Sequence, residues 1–218
     1  MDETLKFFDD HKLIAVVRAG DPEDAGQVAR AVLAGGFKLI EIAMTIPQAP
    51  RVIESLAKKE GANGNGYLIG AGTVTGGEMA QRAVNAGAKF ISSQFTDKSI
   101  LTVCKNNSTF VIQGAATPTE VMEAHGSSVD LINLYPIDFL GGSAYLKRLR
   151  KVCQISRLMV SGGVTCENVL DYIRDGAAAV AIGRSICDKA LIRAHNWQEI
   201  TERAKKFQQK LESLKIAR

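Results

Sequence analysis

The chain has 218 residues, 46% of them apolar and 23% charged, a length and composition that suit an ordinary globular protein with a sizeable core. No run approaches the roughly 18 uninterrupted apolar residues of a membrane span, and no basic-then-apolar leader opens the sequence, so no membrane partner is expected. A formal net charge of +4 is modest and speaks against nucleic acid as a partner, while anionic small molecules stay open.

In chain order, "ETLKFFDDHK" reads as an opening helix. Eight short apolar runs follow: "LIAVVRAG" (13–20), "LIEIAMT" (39–45), "YLIGAGTV" (67–74), "KFISSQ" (89–94), "TFVIQGA" (109–115), "DLINLYP" (130–136), "RLMVSGGV" (157–164) and "AAVAIGRS" (178–185). Amphipathic helical patterns such as "PEDAGQVARAVLAGG" lie between them. Gly35-Gly36, Gly87-Ala88 and Gly176-Ala177 stop helices just before a strand, a weak repeat that uses glycine to turn the chain back. Pro22, Pro47 and Pro118 suit first-turn positions, and Thr117 with Glu120 forms a capping sequence. Trp197 to Ala217 reads as a closing helix. The basic run from Arg203 to Lys210 reads as its solvated face. No linker divides the chain, so residues 1–218 are expected to form one domain.

Eight strands alternating with helices fit a closed (β/α)8 TIM barrel or an open doubly wound sheet. Strand count, length and the lack of G-x-G-x-x-G after the first strand favour the barrel. Its active site then lies at the C-terminal ends of the strands, where alternate residues point inward. Glu41, Ala43 and Thr45 share one face of the second strand, and Leu131, Asn133 and Tyr135 one face of the sixth. Arg18 and Thr73 join this set from the ends of strands one and three. Glu41 then reads as a functional buried carboxylate, or as half of a structural ion pair with Arg18. Gly162 and Gly163 after strand seven, with Arg184 and Ser185 after strand eight, form a candidate phosphate site, although loops also use glycine simply to turn.

Cys104, Cys153, Cys166 and Cys187 are scattered, which points to reduced thiols in a cytoplasmic protein. His11, His125 and His195 fall in helices or at their edges, away from Glu41. Neither set reads as a metal site, and no cofactor is expected.

"IEIAMTIP", "IGAGTV", "IQGAATPTE", "INLYP", "GGSAYLKRL", "SGGVTCEN" and "AIGRS" together resemble, in order, the motifs of the 2-keto-3-deoxy-6-phosphogluconate (KDPG) and 4-hydroxy-2-oxoglutarate (KHG) aldolases. The resemblance runs from about Lys12 to Cys187. It implies a TIM barrel, a homotrimer and a class I aldolase that needs no metal. Such an enzyme cleaves a 2-keto-4-hydroxy acid to pyruvate and an aldehyde. By the same resemblance Glu41 takes the acid/base position, Arg18 and Thr73 substrate positions, and Gly162, Gly163 and Ser185 the phosphate site; Thr45 stands where members carry arginine or threonine, and Thr45 and Tyr135 join the substrate-binding set through their strand faces.

One departure bears on the chemistry. The family's strand-six motif usually reads Lys-Leu-Phe-Pro, and Asn133 stands where that lysine forms the Schiff base. A carboxamide is not basic and cannot condense with a ketone. Lys38 and Lys89 precede strands two and four, and Lys147 lies in the helix after strand six, so none reads as a replacement. Ser92-Ser93-Gln94, Gln113-Gly114 and Arg184 also depart from the family pattern, and Gln94 and Gln113 are expected to make the pocket more polar. Two readings follow for a 2-keto acid or sugar phosphate ligand. One is an enzyme, either an aldolase or a Schiff-base-independent proton-transfer catalyst using Glu41. The other is a non-catalytic anion-binding barrel.

Overall fold

The computed structural model describes residues 2–63 and 66–216. Helix α1 (Asp2–His11) precedes eight strands: β1 (Leu13–Val17), β2 (Leu39–Ala43), β3 (Leu68–Gly72), β4 (Phe90–Ser92), β5 (Phe110–Ala115), β6 (Leu131–Leu134), β7 (Leu158–Ser161) and β8 (Ala179–Ile182). Between them run α2 (Pro22–Ala34), α3 (Ala49–Asn63), α4 (Gly77–Asn85), α5 (Lys98–Asn106), α6 (Pro118–Gly126), α7 (Ile137–Leu140), α8 (Gly142–Cys153) and α9 (Val169–Arg174). Helices α10 (Lys189–Arg193) and α11 (Trp197–Ile216) follow β8. The strands pair in parallel, in sequence order, and β8 closes onto β1 through Leu13 opposite Val180.

Apart from β5, which ends with its run at Ala115, the strands end two or three residues before their apolar runs do, so the polar residues at the ends of those runs lie in loops at the barrel mouth. Pro22 and Pro118 open their helices, and Thr117 and Glu120 form the expected capping box. Pro47 instead lies in a turn before α3, whose first residue is Ala49. Gly36, Gly87 and Gly176 share φ values of 95°, 95° and 93°, the left-handed region that admits glycine most cheaply. The closing helix is described as far as Ile216, and Ala217 lies outside the described residues. No helix among the described residues is long and apolar enough to cross a membrane.

Two layers of apolar contact follow from the strand pleat. Residues such as Ile40, Ile42, Val160 and Ile182 pack outward against the helices, while Ile14, Val16, Leu39, Ile112, Leu131 and Met159 fill the barrel. The α1 helix closes the bottom. Its Phe8 stacks on Phe110 at 4.7 Å and meets Phe90 edge-on at 5.2 Å. On β3 the inward positions are Leu68, Gly70 and Gly72, and the ring of Phe90 occupies the space that a Cβ on Gly70 would take. The barrel below the mouth is therefore packed and apolar. Phe8→Ala should cost about 3–5 kcal/mol in urea unfolding, and a loss well under 1 kcal/mol would mean that α1 is not part of the core.

Candidate active site

Glu41 faces into the barrel from the middle of β2, paired with Val16 on β1 and Gly70 on β3. It is 3% exposed. Its carboxylate lies directly over Gly72, in space that any side chain there would fill. Burial pushes the carboxyl above the ordinary carboxylate range, and the Arg18 charge and a hydrogen bond with Ser92 pull it back only in part. Arg18 is exposed just past β1, and among the described residues it forms no salt bridge with Glu41. The structural ion pair is therefore not formed. Ser92 was missed at the sequence level, yet its position two residues after inward-facing Phe90 gives it the same orientation.

Asn133 lies inward on β6, opposite Gly114 and Met159, and is buried. Ser161, at the end of β7, donates to its side-chain oxygen at 2.9 Å. Among the described residues its amide nitrogen has no hydrogen-bond partner. Thr73, immediately after β3, has φ 56°, and its buried hydroxyl has no hydrogen-bond partner among the described residues. A non-glycine residue in this region costs of order 1–3 kcal/mol, and such strain concentrates at functional sites.

Three positions differ from expectation. Thr45 and Tyr135 do not extend the inward faces of their strands. β2 ends at Ala43 and β6 at Leu134, and both residues sit exposed in the turns beyond. The turn after β2 is fixed by Ile46 bonding back to the Ala43 carbonyl, which directs Ala43 and Ile46 into the outer core. Gln113 does not line the pocket either. It alternates with inward-facing Ile112 and Gly114, so it points outward, where its Nε2 donates to the Asp97 carbonyl at 2.7 Å.

At the anion end, Gly162 and Gly163 have φ 93° and 63°. The Asp138 side chain of α7 packs against Gly163 where a Cβ would stand, with Oδ2 2.6 Å from that point. The Ser185 hydroxyl donates to the Val164 carbonyl and so ties the β8 loop to the β7 loop. Arg184 and Arg18 instead line one cavity of about 720 Å³ between the loops after β8 and β1. Lys189 lines it too, a mouth lysine that the strand pattern gave no reason to single out.

The family of KDPG and KHG aldolases matches residues 4–203. The chain belongs to this family. Among relatives, it is 28% identical over 190 residues to the 2-dehydro-3-deoxy-phosphogluconate aldolase of Treponema pallidum, covering 87% of this chain and 89% of that one. It is 30% identical over 175 residues to a probable 2-dehydro-3-deoxy-6-phosphogalactonate aldolase of Rhizobium meliloti, covering 80% and 81%. In structure it resembles the KDPG aldolase of Legionella pneumophila captured with pyruvate as a covalent carbinolamine. The TM-score is 0.83 and the identity 29%, with 92% of this chain and 96% of that one covered. Within a KDPG/KHG aldolase barrel, the observed set at the mouth is a buried carboxyl, a carboxamide on the opposite wall and an unpartnered hydroxyl.

A carboxyl whose pKa is raised on folding binds its proton more tightly in the folded than in the unfolded protein. Stability then falls as pH rises through the window between the two pKa values. Glu41→Gln removes this dependence. Urea unfolding between about pH 5 and about pH 8 should show the variant gaining on the wild type as pH rises, whereas a constant gap would mean that Glu41 ionises as freely as in water.

Proposed function

We propose that the protein binds a 2-keto acid at the barrel mouth and that Glu41 moves a proton at the carbon beside the keto group without a covalent intermediate. The observation that carries this reading is the raised, buried Glu41 carboxyl, held over Gly72 and against Ser92. A carboxyl tuned toward neutral pH can both take and return a proton. Arg18 supplies a counter-charge for the ligand's carboxylate.

In the step, the carboxylate of Glu41 takes a proton from the α-carbon. The C–H electron pair becomes the C=C bond of the enolate, and the negative charge moves to the keto oxygen. The Asn133 amide N–H and the Thr73 hydroxyl are donors for that oxygen. Return of the proton from Glu41 completes the exchange. Asn133 occupies the position at which the family's lysine forms its Schiff base, and its nitrogen cannot form an iminium.

Deuterium exchange into the pyruvate methyl group, followed by NMR, tests the reading. The wild-type protein should catalyse it, and Glu41→Gln should abolish it. Pyruvate binding without exchange would leave a non-catalytic binding barrel. Borohydride treatment with pyruvate should give no covalent adduct by mass spectrometry, whereas Asn133→Lys should gain one, with the apolar neighbours of residue 133 lowering the lysine pKa. A wild-type adduct at any lysine, Lys189 included, would restore the iminium mechanism.

We also propose a homotrimer. Phe139 on α7 is 87% exposed, with Phe95 and Tyr135 exposed in loops at the same end of the barrel, apolar surface suited to contact between subunits. Sedimentation should give the trimer mass, and Phe139→Glu should lower it. A monomeric wild type removes the proposal.

A further inference from the structure

The loop between β4 and α5, residues 93–97, reaches into the barrel mouth beside Asn133. Gly114 on β5 faces inward, opposite Asn133 on β6. A Cβ at position 114 would collide with the backbone carbonyl of Gln94 and stand 2.7 Å from its Cα. The Gln94 peptide therefore takes the place of the missing side chain and walls the mouth next to Asn133. Glycine at 114 is what admits it.

Among the described residues, three hydrogen bonds tie this loop to β5. The Ser93 amide donates to the Ile112 carbonyl at 3.0 Å. The Thr96 hydroxyl meets the Gly114 carbonyl only at 3.4 Å, whereas Gln113 Nε2 donates to the Asp97 carbonyl at 2.7 Å. The glutamine bond is the shortest of the three, and its side chain is 0% exposed.

Fold stability does not account for a glutamine there. Its outward neighbours on β5, Val111 and Ala115, belong to the apolar layer under the helices. Its second polar atom, Oε1, is buried with no hydrogen-bond partner among the described residues. An orphaned buried acceptor lowers stability. The Asp97 carbonyl already accepts from the Leu101 amide at 3.2 Å, so it would not be orphaned without Gln113. An apolar side chain of similar size would suit the core better. The cost of Gln113 falls on the fold, and its one bond acts on the loop. Gln113 also stands where this chain departs from the family pattern, so the clamp belongs to this chain.

We infer that Gln113 is a positioning residue. From behind the barrel wall it holds the β4–α5 loop down on Gly114 and so fixes the Gln94 peptide beside Asn133. This rests on the proton-transfer site proposed above, in which Asn133 receives the enolate oxygen. Without the clamp the loop lifts, the wall beside Asn133 opens, and pyruvate loses its fixed orientation between Glu41 and Asn133.

Gln113→Met keeps the volume and cannot donate. Its thermal midpoint should equal or exceed that of the wild type. Backbone deuterium uptake of the full chain, read by mass spectrometry, should rise in residues 93–97 and stay unchanged in β1 and β2. In the pyruvate methyl-exchange assay, the rate at saturating pyruvate should fall about tenfold or more, with the half-saturating concentration little changed. Gly114→Ala should slow the reaction in the same way, because its methyl group displaces the Gln94 peptide. The double variant should be no slower than the slower single one, since both act through one loop.

Unchanged uptake in residues 93–97 of Gln113→Met overturns the inference, as does a loosened loop with an unchanged rate. A fall in rate matched by a fall in thermal midpoint also overturns it, because Gln113 would then act through the fold. A wild type that does not exchange the pyruvate methyl removes the proton-transfer reading instead. Faster uptake at 93–97 in Gln113→Met would then still support the clamp, and equal uptake would remove it too.

Discussion

Glu41 holds a carboxyl group inside an apolar barrel, and the surrounding structure is arranged around that cost. An ionised carboxylate loses several kcal/mol of hydration on burial even after the protein relaxes. Phe8, Phe90 and Phe110 close the barrel below it and keep water from entering through the bottom. Gly72 leaves the space the carboxyl occupies, Ser92 contributes a hydrogen bond, and Arg18 contributes charge from the rim. These partners compensate for burial only in part. The remaining shift is upward, so the folded protein holds the Glu41 proton more tightly than water would.

The barrel was largely legible from the chain. Parallel strands buried on both faces read as short continuous apolar runs, and eight of them separated by amphipathic stretches leave few topologies. The small-residue helix stops were legible for a local reason, because Gly36, Gly87 and Gly176 each take the same left-handed turn. Strand ends were harder. In "LIEIAMT" the alternation continues through Thr45, but the hydrogen bond from Ile46 to Ala43 ends the strand early. Apolar pattern alone does not record where pairing with the neighbouring strand stops. Helices α7 and α10, of four and five residues, are too short to show a period.

The same contrast separates what was found at the site from what was missed. Glu41 and Asn133 lie within strands, where inward direction follows from the pleat. Ser92 and Ser161 obey that rule as well, yet serine in an apolar run gives little signal until its partner is known. Gln113 shows the rule applied too loosely, since proximity in sequence to a pocket glycine does not put a side chain in the pocket. Asp138, Lys189 and Arg193 come from the short helices, so their convergence on the mouth depends on three-dimensional closure.

The contact between Gly72 and the Glu41 carboxyl also constrains how this sequence can drift. No side chain can appear at position 72 while position 41 remains a glutamate in its present rotamer, because both would claim the same volume. A shorter residue at position 41 would relax that restriction, and a later substitution at 72 would then block the return of the glutamate. The two positions thus impose an order on their own replacements. A descendant of this chain with alanine at 72 would have either lost the buried acid or swung its carboxyl out of this position.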